Sequence, residues 1–150
     1  MGLDFAHDRA STDHIDTLVD ADRSGMIAPR QETAMQPINL NTKLSQFSTH
    51  WDPHVIADYN ENDVMVVKFQ GEFPFHLHED TDDFFLVLNG EMVMDLENES
   101  HAVKAGELFI VPKGVTHRPR ADAECKVLLI EPKGVPNTGD PATAAPKPRI

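Results

Sequence analysis

Three histidines and one aspartate near the middle of the chain are the residues best suited to chemistry. His76 and His78 are separated by one residue, and a β-strand turns alternate side chains to opposite faces, so both imidazoles project from one face and can bind one ion. His117 follows a later apolar stretch and would approach from another strand. Asp83 stands at the start of an apolar run and adds a carboxylate. This set of three nitrogens and one oxygen predicts a site for a transition metal.

The sequence around these residues predicts short β-strands joined by tight turns. Glycine and proline recur at the ends of apolar runs, where the chain needs a positive or a fixed φ. The pair Asn89-Gly90 is a strong hairpin signal, so we expect the strand before it to pair with the strand after it. No long segment has helical periodicity. We predict strands over residues 64–69, 84–88, 91–96, 101–103, 108–111 and 125–130.

Such strands lose their free edges when they close into a barrel, whose interior then leaves room for one small ligand. The period of two also predicts which side chains line this interior. If Asp83 points inward, Phe85 and Val87 follow it, while the apolar residues between them face a second sheet or another subunit. Residues 84–88 are apolar on both faces, which favours a homodimer. The alternative is that both faces are buried within one subunit.

Two sequence motifs resemble those of the cupin family. The first motif of that family has a glycine, a His-x-His pair, an acidic residue and a second glycine, which correspond here to Gly71, His76, His78, Asp83 and Gly90. The likeness extends over about residues 38–138 and is greatest to small single-domain bacterial cupins of the kind called mannose-6-phosphate isomerase-like. It implies an all-β fold, the double-stranded β-helix or jelly-roll barrel.

The second cupin motif has a glycine, a Pro-x-Gly turn and a histidine. These correspond to Gly106, Pro112, Gly114 and His117 without a gap, and Ala121 stands where the family has an asparagine. The resemblance implies that the metal ligands of the family have four counterparts in this chain. These counterparts are His76, His78, Asp83 and His117.

Asp83 is one methylene shorter than the glutamate that the family has at this position. A first-row metal needs its carboxylate oxygen at about 2.0–2.2 Å. Asp83 therefore either binds the metal directly or acts through a bridging water, and Asp82 takes its place if the strand begins one residue earlier. The ligand set suits a divalent Fe, Mn, Ni, Zn or Cu ion, and the sequence does not choose among these metals.

Three functions are compatible with such a site. The first is a metal-dependent enzyme of the dioxygenase, isomerase or lyase type, in which the metal acts on a small molecule as a Lewis acid or through oxygen. The second is a protein that binds or senses a sugar or another metabolite without converting it. The third is a metal-free, epimerase-like cupin with His76 and Asp83 as acid and base. Arg118 and Arg120 either rim the pocket for an anionic substrate or lie at the surface.

The composition excludes other classes of function. The net charge is −12 and there is no basic stripe, which argues against binding of nucleic acid. A single cysteine, Cys125, cannot form an intramolecular disulfide and is expected to pack in a strand. No apolar run approaches the roughly 20 residues that span a bilayer, and no signal peptide is evident. We therefore expect a cytoplasmic protein that does not bind membranes.

The chain divides into three zones by composition. Residues 1–36 are polar and rich in aspartate, and we expect an extension that is disordered or binds as an arm. Residues 37–132 contain the predicted β-barrel. Residues 133–150 form an irregular tail rich in proline and alanine, and we expect this tail to fray because it has no face for a core. Five other histidines are expected to bind no metal: His7, His14, His50, His54 and His101.

Overall fold

The fold is described for residues 35–150 in a computed structural model. The predictions for the N-terminal extension lie outside the described residues, except at Met35 and Gln36. Within the described part, the chain forms one short helix and seven strands. They are α1 (Leu40–Leu44), β1 (His54–Tyr59), β2 (Asn62–Glu72), β3 (Asp83–Asn89), β4 (Glu91–Leu96), β5 (Ser100–Lys104), β6 (Leu108–Val111) and β7 (His117–Pro132).

Strand β7 is the element around which the other strands are arranged. One of its edges pairs with β2 in antiparallel register. The other edge is divided, because residues 126–130 pair with β3 and residues 117–120 pair with β4. Strand β1 then pairs with β2, β6 with β3, and β5 with β4. This arrangement confirms the predicted all-β jelly-roll fold, and the sheet of the described residues does not close on itself.

The predicted hairpin at Asn89-Gly90 is wrong, because β3 and β4 do not pair with each other. Each of them pairs with a different part of β7, so the chain crosses from one part of the sheet to the other at this turn. Gly90 has the positive φ that the turn signal requires, 85°. A Cβ at this position would lie 2.9 Å from the carbonyl oxygen of Glu124, so the turn packs directly on the backbone of β7. A local signal predicts the reversal of the chain but not the strand that supplies the hydrogen bonds.

All six predicted strands are present, but β1 and α1 were not predicted. Helix α1 has five residues, which is too short to show a helical period. Its N-cap is Asn39, whose side chain accepts a hydrogen bond from the backbone N–H of Thr42 at 3.0 Å. Leu44 packs against Ile56 and Val66 and so attaches the helix to the outer face of the sheet. No helix of the described residues is long and apolar enough to cross a bilayer.

The core follows the predicted alternation of strand residues. Phe85 and Val87 are buried with Asp83, whereas the residues between them are only half buried. Cys125 is buried, and burial raises the pKa of its thiol to about 11, which agrees with a packed rather than a reactive cysteine. The other buried apolar side chains of this core are those of Val55, Met65, Val67, Phe69, Met92, Met94, Val103, Val111, Ala121, Val127 and Leu129.

The C-terminal segment, residues 133–150, is irregular as predicted, but the prediction that it frays is wrong. The backbone N–H of Ile150 donates to the carbonyl oxygen of Val55 in β1 at 3.0 Å. The ammonium group of Lys147 donates to the carboxylate of Glu131 in β7 at 2.6 Å. Composition did not predict this packing because each contact joins residues that are distant in sequence.

Gly139 joins this segment to the loop that carries His76 and His78. It has a φ of 74°, and a Cβ on it would overlap the carbonyl oxygen of Leu77. This oxygen belongs to the backbone between the two histidines, so it cannot move without displacing them. Gly134 has a similar φ of 82°, but the space around it is open.

We expect the substitution Gly139→Ala to lower the midpoint of thermal unfolding more than Gly134→Ala does. Both variants place a side chain on a positive φ, which costs about 1–2 kcal/mol. Only Gly139→Ala adds a collision with the backbone of Leu77. Calorimetry of the two variants and the wild type at pH 7 measures the difference, and equal midpoints for the two variants would contradict the contact.

Candidate metal centre

The structure brings the four predicted ligands together. One donor atom each from His76, His78, Asp83 and His117 lies within 4.8 Å of all the others. Asp83 begins β3 and His117 begins β7, as expected. The prediction that one strand carries both His76 and His78 is wrong, because these residues lie in the loop between β2 and β3. The histidines converge nevertheless, because their loop is fixed by hydrogen bonds to the second motif.

A β-bridge of two residues fixes His76 to His117. The N–H of His76 donates to the carbonyl oxygen of His117 at 3.0 Å, and the N–H of His117 donates back to His76 at 2.9 Å. The carbonyl oxygen of His78 accepts a hydrogen bond of 2.7 Å from the N–H of Gly114. The turn of the second motif therefore holds the loop of the first, which explains why residues far apart in sequence share one site.

Asp82, the alternative to Asp83, lies outside the cluster. Its side chain is directed to the second motif, where Oδ1 accepts a hydrogen bond of 3.0 Å from the backbone N–H of Lys113. Asp83 is only 4% exposed, because the alternation of β3 turns it to the interior with Phe85. The carboxylate of the cluster is thus that of Asp83.

The carboxylate of Asp83 lies beside two imidazoles. Its Oδ2 atom is 3.0 Å from Nε2 of His117 and 3.3 Å from Nε2 of His78. Two ligands at about 2.1 Å from one ion, at an angle of roughly 90–110°, are separated by about 3.0–3.4 Å. The spacing therefore fits donor atoms that share one small cation.

Backbone carbonyls set the tautomers of two of the rings. Nδ1 of His76 lies 2.9 Å from the carbonyl oxygen of Pro74, and Nδ1 of His117 lies 2.9 Å from that of Val115. Because a carbonyl oxygen only accepts, Nδ1 carries the proton in both rings and donates it. The Nε2 atom of each neutral ring then keeps a lone pair that can bind a metal.

Nε2 of His78 is buried and has no hydrogen-bond partner among the described residues. Oδ2 of Asp83 is near it, at 3.3 Å, but the two atoms are not aligned for a hydrogen bond. An unpaired buried polar atom costs about 1–3 kcal/mol, and a metal ion bound to Nε2 would remove this cost. The donor set of the cluster therefore fits a divalent transition metal.

The protonation states of His76 and Asp83 also suit a metal. Burial lowers the pKa of His76 to about 4, so this imidazole is neutral at pH 7. Burial also lowers the pKa of His78, but the neighbouring carboxylate outweighs it and the net shift is upward. Burial raises the pKa of Asp83, and the adjacent imidazoles of His117 and His78 more than reverse this and lower it to about 2. A neutral imidazole and an ionised carboxylate are the forms that bind metals.

A cavity adjoins the cluster and has about 350 Å³ of atom-free space, including the part that is open to solvent. His76 and Asp83 form part of its wall. Trp51 stacks on Phe69 with ring centroids 4.4 Å apart, and its ring centroid lies 5.1 Å from that of Phe73. A mostly apolar cavity with a few polar groups is typical of a small-molecule site. The other lining residues are Pro53, Val67, Phe85, Pro119, Leu129, Glu131 and Asn137.

Glu131 is a carboxylate of this cavity that sequence reasoning missed. It is buried at the C-terminal end of β7, and its Oε2 atom accepts a hydrogen bond of 2.6 Å from Lys147. Burial raises the pKa of Glu131, and Lys147 opposes this shift. The period of two along β7 could have predicted this position, because Glu131 and His117 fall on the same face of that strand. Trp51 lies in a loop, where no sequence pattern predicts a position in the cavity.

Arg118 and Arg120 do not line the cavity, so the surface alternative is the correct one. They alternate with His117 along β7 and are directed outward. Their Nε atoms lie 3.0 and 2.9 Å from Oδ2 of Asp95. The hydroxyl of Ser100 and these two guanidinium groups lower the pKa of Asp95 to about 2. Both arginines are thus bound by a carboxylate outside the cavity.

The other described histidines have partners elsewhere. Nε2 of His50 lies 3.0 Å from the carboxylate of Glu124, and Nε2 of His101 lies 3.4 Å from that of Glu99. Nδ1 of His54 donates to a backbone carbonyl at 2.8 Å. None of these three belongs to the cluster. His7 and His14 lie outside the described residues.

Comparisons with known proteins agree with this architecture. A sequence model of the cupin domain matches residues 63–131. A crystal structure of a cupin-2 domain containing protein from Shewanella frigidimarina has 44% sequence identity to this chain and a TM-score of 0.63. The alignment covers 64% of this chain and 94% of the chain in that crystal structure.

Two curated relatives are also similar. The protein YdbB of Bacillus subtilis is 37% identical over 79 residues, which are 52% of this chain and 70% of that protein. A 3-hydroxyanthranilate 3,4-dioxygenase of Xanthomonas euvesicatoria is 30% identical over 111 residues, which are 69% of this chain. The chain spans 63% of the length of that dioxygenase.

Proposed function

The chain belongs to the cupin family and has its double-stranded β-helix fold, and on that basis we propose that it binds a divalent transition metal and acts on a small molecule. The proposed ligands are His76, His78, Asp83 and His117. A bound Fe, Mn, Ni, Zn or Cu ion would supply Lewis-acid polarisation of a carbonyl or enolate or, where it is redox-active, chemistry with oxygen. We propose a reaction of the dioxygenase, isomerase or lyase type.

The observation that carries the proposal is the buried, unpaired Nε2 atom of His78 beside the ionised carboxylate of Asp83. His76 and His117 supply two further lone pairs, because their Nδ1 protons are donated to backbone carbonyls. A dication at this point would satisfy the unpaired nitrogen and compensate the buried negative charge. The separations of 3.0 and 3.3 Å within the cluster support direct binding by Asp83 rather than binding through a water.

The cavity residues support action on a small molecule. The apolar wall formed by Trp51, Phe69 and Phe73 lies next to His76, and an apolar wall strengthens the electrostatic effect of the nearby polar groups. Oxygen chemistry is supported by the likeness to 3-hydroxyanthranilate 3,4-dioxygenase. The fold alone does not specify a reaction, so the proposal depends on the chemistry of the site.

We expect the tag-free wild-type protein, reconstituted under reducing conditions, to bind about one metal ion per chain. We expect His117→Ala to bind less than about 0.1 ion per chain after dialysis, because the variant lacks a buried ligand. Elemental analysis by mass spectrometry measures the occupancy and identifies the ion.

His101→Ala is the matched control, because His101 is a partly exposed imidazole outside the cluster. This variant should bind as much metal as the wild type. A wild-type occupancy below about 0.1 ion per chain would contradict the proposal, and so would equal occupancy in the His117 and His101 variants.

A protein that binds or senses a metabolite is the second candidate. It is favoured by the pairing of Glu131 with Lys147, because the ammonium group weakens this carboxylate as a general base. A metal-free, epimerase-like cupin would need a pair of histidine and aspartate. The pair that the geometry favours is Asp83 with His117, at 3.0 Å, rather than Asp83 with His76.

Mass spectrometry of a bound ligand separates these functions. A thermal-shift screen of metabolites would first identify ligands of the metal-loaded protein. We expect such a ligand to be converted in air by the wild type and to stay unchanged with His117→Ala, because the variant lacks a metal ligand. An unchanged ligand with the loaded wild type would favour the binding protein, and conversion by the metal-depleted protein would favour the epimerase.

We also propose that the protein is a homodimer. The outer face of the sheet carries two apolar rows across neighbouring strands, and in these rows Leu108 is 54% exposed and Ile110 is 43% exposed. Contiguous apolar surface of this kind is typical of an interface between subunits. The rows are Ile110, Phe84 and Ile130, and Leu108, Leu86 and Leu128, as the strand register places them.

Light scattering coupled to size-exclusion chromatography tests the dimer. We expect a mass of twice 16.7 kDa for the wild type. The substitution Leu108→Glu should give a folded monomer, because it places a charge in the apolar rows. Tyr59→Glu, at an exposed aromatic residue of β1, should leave the dimer intact. A monomeric wild type would exclude the interface.

A further inference from the structure

We infer that the cavity beside the metal ligands takes a planar aromatic small molecule that bears an N–H or O–H donor. The inference rests on the proposed function, because a ligand of this cavity is a substrate only if His76 and Asp83 help to hold a metal. It adds the chemical class of the substrate, which the ligand cluster does not specify. The shape, the hydrogen-bonding groups and the charge of the cavity each support it.

The wall of the cavity is a continuous series of aromatic contacts that leads to the ligand cluster. Trp51 contacts Phe69 and Phe73, with ring centroids 4.4 and 5.1 Å apart. The ring centroid of Phe73 lies 5.1 Å from that of His76, and the two rings are nearly perpendicular. Each contact between aromatic rings contributes about 0.5–1.5 kcal/mol beyond the burial of apolar area. A flat, unsaturated ring gains these contacts, and a puckered saturated ring does not.

Trp51 is held in this wall at a conformational cost. Its φ is 64°, in the left-handed region that residues other than glycine seldom adopt, and such a residue typically costs about 1–3 kcal/mol. The backbone N–H of Trp51 donates to the carbonyl oxygen of Lys68, and its indole N–H donates to that of Gln70, both at 2.9 Å. The indole nitrogen is therefore already paired, and the residue offers a ligand only its ring.

Two polar groups of the cavity wall have hydrogen-bonding capacity left. Oε2 of Glu131 accepts from Lys147, whereas its other oxygen accepts no side-chain hydrogen bond from the described residues and is not fully buried. Oδ1 of Asn137 accepts from the N–H of Ala145 at 2.9 Å, which leaves the amide nitrogen to donate. A donor on the ligand thus matches Glu131, and an acceptor beside it matches Asn137.

The side chains of the lining supply no cationic group that would select an anion. The charged residues of the lining are the carboxylates Asp83 and Glu131, and it contains no lysine or arginine. Arg118 and Arg120, the nearest guanidinium groups in sequence, are bound to Asp95 on the outside of the strand. An anion would therefore depend on the proposed metal ion alone for a positive charge, whereas a neutral aromatic molecule gains the ring contacts of the wall.

Three small probes test the class of ligand. Benzamide has a planar ring, an N–H donor and an acceptor; cyclohexanecarboxamide has the same amide on a saturated ring; methyl benzoate has the ring without a donor. Binding is measured by nuclear magnetic resonance titration of the full-length protein at its measured metal content. We expect benzamide to bind about tenfold more tightly than either of the other two probes, since 1.4 kcal/mol corresponds to a factor of ten.

Variants of the cavity assign the contacts. We expect Phe73→Leu and Trp51→Leu to weaken benzamide about three- to tenfold, because each removes one aromatic contact. Glu131→Gln should weaken benzamide by a similar factor and leave methyl benzoate unchanged, because only benzamide donates to this residue. Tyr59→Leu is the control, because this exposed aromatic residue lies outside the cavity. Phe73→Leu keeps the test valid if Trp51→Leu does not fold.

The outcomes separate this inference from the proposed function. Equal affinity for benzamide and cyclohexanecarboxamide, tighter binding of glucose 6-phosphate than of benzamide, or full affinity in Phe73→Leu would overturn the inference while metal occupancy stays near one ion per chain. Selective binding of benzamide by a protein that takes up no metal would support the aromatic cavity and reject the metal-dependent reaction. Selective binding together with metal occupancy supports both.

Discussion

The burial of the Asp83 carboxylate is the constraint on which the rest of the site depends. A buried negative charge is costly unless hydrogen bonds or an opposite charge compensate it. Asp83 is only 4% exposed, and its close neighbours are the Nε2 atoms of His117 and His78. Because the Nδ1 proton of His117 is donated to a backbone carbonyl, neutral His117 has no second proton to give to the carboxylate. A metal cation bound by Asp83, His78 and His117 would compensate this charge, and backbone hydrogen bonds of the fold hold the histidine loop in place.

Strand β7 connects the proposed metal ligands with the cavity. Along this strand, buried residues alternate with half-buried ones from His117 through Leu129 to Glu131, except at the irregular stretch near residues 122–124. One strand thus places a metal ligand at one end and the carboxylate of the cavity at the other, on the same face. The same alternation turns Arg118 outward. The interior therefore receives its carboxylates from the strands, and Lys147 of the C-terminal segment compensates that of Glu131.

The sequence predicted the parts of the structure that depend on local patterns. Glycine, proline and histidine at characteristic spacing indicated the four ligands, and the period of two indicated that Phe85 follows Asp83 to the interior. The Asn89-Gly90 turn was misread because pairing depends on which strand lies beside the turn, and a local signal does not contain that information. The packing of Lys147 on Glu131 was missed for a similar reason, since a proline- and alanine-rich composition does not reveal one buried ion pair.

The C-terminal segment shows how an irregular chain can determine the shape of a site. Gly139 packs on the backbone of Leu77, between two of the proposed metal ligands, and only a glycine leaves room for that contact. A few residues further on, Lys147 binds Glu131 at 2.6 Å and fixes the carboxylate in the cavity wall. The position of the histidine loop and the polarity of the cavity therefore depend on one segment without regular secondary structure. The segment affects the site through these individual contacts and not through a hydrophobic core, so its proline- and alanine-rich composition does not predict that effect.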